Sequence, residues 1–231
     1  NKSLSLSERR KISNKALEHA TLRKNDSIKL NYFLKLQWSF LNLEDSLRFR
    51  QMNRQARMLS IALKDSVRLG FTHWDLADFL SGIKVKDSAY YHFSSAQKIF
   101  NALGDNSRAG RLTYDMALIQ MEVKDYDGSE FNTVKAIKLL KPLKENLMLY
   151  RCYNLLGILA KDLKEFDLSL EYYTIAENYL KKSSARGSIE VQVINNLGVN
   201  YLEKGELDIA YFDAIGSKEL HFRYAQKTIH A

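Results

Sequence analysis

A unit of about forty residues recurs along the 231-residue chain, most plainly where Tyr153-Asn154-Leu155-Leu156-Gly157 is answered by Ile194-Asn195-Asn196-Leu197-Gly198. Downstream of Gly157 come Phe166, Ser169, Tyr173 and Ala176 at offsets of 9, 12, 16 and 19; downstream of Gly198, Tyr201 and Ala210 stand at 3 and 12. Small residues at such places let one helix approach the next, and aromatics fill the space between, so the repeat is a packing code. One frame earlier Ala117 takes the place of Gly157, followed by Tyr126, Ser129 and Ala136; earlier still, Ala77 precedes Ala89, Phe93 and Ala96. A weaker copy surrounds Gln37, with Phe33, Phe40 and Ala56, and Ala16-Leu17-Glu18 fits only the second helix of a preceding unit. Such a unit buries its apolar face only by stacking on its neighbours. The expectation is one all-α domain over 1–231, with a partial N-terminal helix and five repeats framed near 30–69, 70–109, 110–149, 150–190 and 191–231.

The 3.6-residue periodicity predicts helices over 8–24, 27–42, 45–63, 67–82, 87–102, 107–122, 127–141, 146–161, 167–182 and 187–203. Asp26-Ser27, Asp87-Ser88, Asp105-Asn106-Ser107 and Ser183-Ser184 supply cap and turn chemistry, and Leu103-Gly104-Asp105 reads as a helix closed by a left-handed glycine. The one proline, Pro142, falls near the end of a helix, where a breaker is tolerated. Near the C-terminus the frame slips: Ile215-Gly216-Ser217-Lys218 looks like a loop arriving early, as if residues were missing near 212–215, and Ser217 to Ile229 reads as the first helix of a further repeat.

Charge is unevenly placed. Residues 1–60 hold 13 Lys/Arg against 5 Asp/Glu, whereas 61–231 hold 22 of each, so the whole net charge of +8 is N-terminal. Arg9, Arg10, Lys11, Lys15, Arg23, Lys24, Arg48, Arg50, Arg54 and Arg57 can attract an acidic partner or an anionic surface, or simply form a solvated face. The neutral remainder carries no nucleic-acid-binding module, and no apolar run reaches the length of about 18 residues needed to span a membrane. No G-x-S-x-G, phosphate-cradling glycine loop or H-E-x-x-H is present, and His19, His73, His92, His221 and His230 lack metal-ligand spacing. Cys152, amid Tyr150, Tyr153 and Leu156, reads as a buried structural thiol. The segment is read as non-enzymatic, with no cofactor and no metal.

The offsets from Gly157 and Gly198 are those of a tetratricopeptide (TPR) unit, and the chain resembles TPR proteins over nearly its full length. The wording of the repeats goes further. Lys86-Asp87-Ser88-Ala89-Tyr90-Tyr91, Ala96-Gln97-Lys98-Ile99-Phe100, Val123-Lys124-Asp125-Tyr126-Asp127-Gly128-Ser129-Glu130 and Tyr153-Asn154-Leu155-Leu156-Gly157-Ile158 are similar to the long-period arrays of bacterial TPR-containing sensor histidine kinases and TPR transcription regulators. The resemblance implies a right-handed superhelical solenoid of antiparallel helix pairs whose first helices line a concave face. Carried onto this sequence it places Trp38, Trp74, Asp78, Arg111, Tyr114, Arg151, Asn154, Asn195 and Asn196 on that face, beside Asp75 and Asp115. Amide, guanidinium and indole groups together suit an extended peptide or a protein segment, although aromatics at these offsets also serve plain helix packing. The Lys/Asn clamp for a C-terminal carboxylate is absent, because Leu34 and Trp38 occupy its first two places.

The resemblance further implies the N-terminal sensor domain of a two-component kinase or related regulator, with membrane attachment only through a further C-terminal region. The site would then be periplasmic if the kinase is membrane-anchored, and cytoplasmic otherwise. A free-standing adaptor, or the regulatory subunit of a toxin or defence effector, is the alternative. A homodimer is compatible with either.

Overall fold

The computed structural model describes residues 4–184 and 188–205. Among these residues it is helical throughout, with ten α-helices: α1 (Leu6–Thr21), α2 (Asp26–Leu41), α3 (Ser46–Ala62), α4 (Ser66–Gly82), α5 (Lys86–Ala102), α6 (Asn106–Glu122), α7 (Tyr126–Leu140), α8 (Asn146–Asp162), α9 (Phe166–Lys182) and α10 (Ser188–Lys204). Pro142 lies in a single 3₁₀ turn, Lys141–Leu143, that finishes α7. The expected spans agree to within three residues. The frame slip near 212–215, the expected helix from Ser217, Ala210, His221 and His230 all lie outside the described residues.

The helices are cut to length by a turn that recurs every twenty residues. Glu44, Lys64, Lys84, Gly104, Lys124, Lys144 and Lys164 all adopt positive φ, between 54° and 71°. The residue after each returns a backbone N–H to the last turn of the finished helix, as in Asp65 N to Ser60 O (2.8 Å), Asp105 N to Phe100 O (2.9 Å) and Glu165 N to Ala160 O (2.8 Å). This is the Schellman closure, and it holds lysine in a conformation that costs an L-residue about 1–2 kcal/mol. At three of these turns the same following residue also caps the next helix with its side chain, whereas Val85, Glu145 and Glu165 make no such bond. The side chains of Asp45, Asp65 and Asp125 accept from the backbone N–H of Arg48, Arg68 and Gly128. A three-residue turn thus ends one helix and begins another.

Contacts gather the chain into two compact units, 1–105 and 106–231. In the first, α2 pairs with α3 and α4 with α5, with α1 against α2; in the second, α6 pairs with α7 and α8 with α9, with α10 against α9. Size complementarity sets the spacing within each pair. A Cβ on Gly70 would come 2.8 Å from Phe100, one on Gly110 2.7 Å from Leu140, and one on Gly157 2.5 Å from the Tyr173 ring. Ala117, Ala136 and Ala176 are fully buried, as the repeat required of small residues. Serines twelve residues after the small position fasten the pairs further: Ser129 Oγ donates to Ala117 O (2.8 Å) and Ser169 Oγ to Gly157 O (2.7 Å). Cys152 is buried in the second unit's core, where desolvation pushes its thiol up to about 12 and removes its nucleophilic thiolate.

Candidate functional site

In the first unit, α2 and α4 present the residues expected on the binding face. Trp38 keeps 39% of its surface exposed and meets Phe49 edge-on, with centroids 6.3 Å apart. Trp74 is half-buried: it stacks with Phe71 and points an edge at the buried Phe100, so part of it is inter-helix packing. Between the ends of α2 and α4 lies an open groove of about 390 Å³ lined by Trp38, Leu41, Glu44, Ser46, Asp78, Phe79, Gly82 and Ile83. Its lining combines the apolar Trp38, Leu41, Phe79 and Ile83 with the exposed carboxylates of Glu44 and Asp78. Such a surface can receive an apolar side chain and orient it through a carboxylate contact.

Behind this groove runs a polar ladder that sequence reading did not find. Asn53 of α3 donates to Gln37 Oε1 (3.0 Å) and to Thr72 O (2.8 Å), and Gln37 Nε2 donates to Asp75 Oδ2 (2.5 Å). Gln37, Asn53 and Thr72 are buried, so the ladder satisfies groups that would otherwise destabilise the core. Burial pushes the Asp75 carboxyl up to about 7; the neighbouring Asp78 charge acts in the same direction, while hydrogen bonds from Gln37 and the Trp38 ring oppose it. Asp78 itself is raised to about 6 by desolvation, although its side chain remains exposed along the groove. The signal in the sequence was Gln37, a polar residue at a small, core-facing repeat position.

The second unit uses its face differently. Arg111 is engaged by Glu145 (2.7 Å), which also accepts from Ser107 Oγ (2.6 Å). Tyr114 packs among Ile137, Cys152 and Leu155, and its phenol is pushed up mainly by burial. Asn154, 8% exposed, accepts from Asn196 Nδ2 (2.7 Å), joining α8 to α10. Arg151 remains exposed, its guanidinium 3.8 Å from Met148 Sδ, and Asn195 is exposed as well. Of the nine expected face residues, then, Trp38, Asp78, Arg151 and Asn195 present surface, while Arg111, Asn154 and Asn196 spend hydrogen bonds on their neighbours.

Two histidines pair across α4 and α5. His73 Nδ1 and His92 Nδ1 approach to 2.9 Å; burial, with His92 and Arg57 nearby, lowers the His73 pKa to about 4, and burial with Arg57 lowers that of His92. Among the described residues there is no group of three or more His, Cys, Asp or Glu that could hold a metal ion, and no helix is long and apolar enough to cross a membrane.

No protein-family model and no curated protein matches the chain. Solved structures do. It is similar to BtubC (BKLC) from P. vanneervenii at 18% identity, covering 97% of this chain and 93% of that one with a TM-score of 0.83. A signal transduction ATPase with numerous domains, with a tetratricopeptide repeat sensor, from Pyrococcus horikoshii matches at 17% identity over 92% of this chain and 32% of its own, with a TM-score of 0.74. A Rap protein complexed with competence and sporulation factor matches at 13% identity over 91% and 59%, with a TM-score of 0.69. At these identities the likeness concerns the fold alone, and the fold is the all-α tetratricopeptide solenoid of paired helices.

Proposed function

We propose that this chain is a non-enzymatic peptide- or protein-binding module serving as the sensing segment of a signalling protein, a two-component histidine kinase or a related regulator. The observation that carries the binding role is the groove of the first unit, where the half-open Trp38 shares the lining with Leu41, Phe79, Ile83 and Asp78. An exposed indole beside apolar side chains is what an anchoring side chain needs, and the Gln37–Asn53 ladder holds α2, α3 and α4 in register behind it. Sensing is supported by the company of the fold: one neighbour is a TPR sensor attached to an ATPase, another a Rap protein complexed with competence and sporulation factor.

Selection of dodecapeptides from a displayed library on the intact chain, followed by calorimetry, tests the binding role. Trp38→Ala combined with Asp78→Asn is expected to weaken the selected peptides by about tenfold or more while circular dichroism stays native. Peptides that bind the variant as tightly as the parent would remove the groove from the reading.

A further inference from the structure

Helix α3 carries a second surface that this reading does not use. Its seventeen residues include Arg48, Arg50, Arg54 and Arg57 and no Asp or Glu. Arg48 is taken up by Asp45 and Asn14. The others are not: among the described residues no ion pair engages Arg50, Arg54 or Arg57, and the Arg50 guanidinium rests 5.1 Å above the Phe79 ring, which holds its charge at the surface. Three large apolar side chains share this face, Leu47 at 78% exposure, Met58 at 54% and Ile61 at 59%. At 100° per residue, Leu47, Arg50, Arg54, Met58 and Ile61 fall within an arc of about 80°. Among the described residues Leu47, Met58 and Ile61 gain no burial on this face, and apolar exposure beside cations marks an interaction surface.

We infer that the outward face of α3 docks an acidic, apolar-bearing protein segment, with Arg50 and Arg54 meeting its carboxylates and Leu47, Met58 and Ile61 meeting its apolar side chains. Charge complementarity selects the occupant: the helix is basic without exception, and the chain's whole positive excess lies in its first sixty residues. The order along the helix favours protein over lipid. Apolar groups stand at the two ends of the face, Leu47 and Ile61 about 21 Å apart along the helix, with arginines between them, so insertion into a bilayer would drag charges in with the anchors. A segment of about four helical turns with acids at its centre and apolar residues at its ends matches the same pattern. Guanidinium forks then engage carboxylates while Leu47 and Ile61 lose their exposure.

The probes are three acetylated, amidated fourteen-residue helical peptides, identical but for Glu, Gln or Lys at two central positions, with Leu and Ile near the ends. Binding to the intact chain is read by fluorescence anisotropy, next to sedimentation with phosphatidylcholine vesicles with and without phosphatidylserine. The Glu peptide is expected to bind at least about tenfold tighter than the Gln peptide and to weaken steeply with salt. Arg50→Glu with Arg54→Glu should abolish that preference, and Leu47→Ser with Ile61→Ser, both at exposed positions, should weaken binding by about fivefold or more with native circular dichroism. Equal affinity for the Glu and Gln peptides, no binding of any peptide, indifference to the arginine changes, or capture by phosphatidylserine vesicles alone would each overturn the inference. None of these outcomes touches Trp38, so the groove reading stands or falls separately.

Discussion

At the scale of single residues, the most consequential group in the first unit is Asp75, because its neighbours contribute both stabilising and destabilising effects. Gln37 and Trp38 donate to it, yet burial and the adjacent Asp78 raise its carboxyl to about 7. A folded-state pKa above the unfolded one, near 4 for aspartate, means that ionisation opposes folding: the penalty is absent below about pH 4, grows between 4 and 7, and is complete above 7. Asp75→Asn keeps the acceptor for Gln37 while removing the charge. Its melting temperature is therefore expected to exceed the parent's at pH 8 and to match it at pH 4. A difference that does not depend on pH would show that the carboxyl ionises freely. Cys152 illustrates the same desolvation without a partner, its thiol pushed up to about 12 and kept out of chemistry.

At the scale of helices and turns, two devices keep the repeats in step. One is the left-handed turn at Lys64, Lys84, Gly104, Lys124, Lys144 and Lys164, which closes each helix at nearly constant length. The other is the small residue that faces a large one, as Gly157 under the Tyr173 ring, which is tighter than Gly70 against Phe100 or Gly110 against Leu140. Gly157→Ala would bring a methyl to 2.5 Å from that ring, inside any acceptable contact, so the buried Tyr173 ring or the helices that hold it must shift. A loss of about 1–3 kcal/mol is expected, and Ala176→Leu, at a fully buried site, should cost a similar amount. Chemical denaturation measures both, and stability unchanged in either variant would mean that the repeat frame is misplaced.

For the molecule as a whole, sensing requires that a ligand bind two conformations with different affinity, since only a differential affinity moves an equilibrium. Repeats stacked on their neighbours can accumulate small rotations into such a second state. Small-angle scattering of the chain with and without a peptide selected on the Trp38 groove is expected to give different profiles, or a different oligomeric state. Superimposable profiles with unchanged mass would favour a rigid adaptor over a sensor. If an acidic segment docks as inferred, the basic N-terminal sixty residues would steer its approach, an effect expected to fade as salt shortens the Debye length.

Helix positions were legible in the sequence because the pattern that specifies them is local, apolar periodicity and small residues at fixed offsets from Gly157 and Gly198, whereas Asp26 and Asp87, expected to cap, lie inside α2 and α5, whose N-caps are Asn25 and Val85. The turn lysines were passed over although Leu63-Lys64-Asp65 and Leu163-Lys164-Glu165 repeat the frame of Leu103-Gly104-Asp105, since lysine by itself gives no reason to expect positive φ. Repeat offsets likewise placed Trp38 and Asp78 on one face. They could not say that Asn154 would bond Asn196 or that Arg111 would be engaged by Glu145, nor that Gln37 would reach Asp75. An offset fixes the direction of a side chain relative to its own helix. Whether that side chain is spent on a neighbour or left for a ligand depends on groups about forty residues away that only packing brings within hydrogen-bond reach.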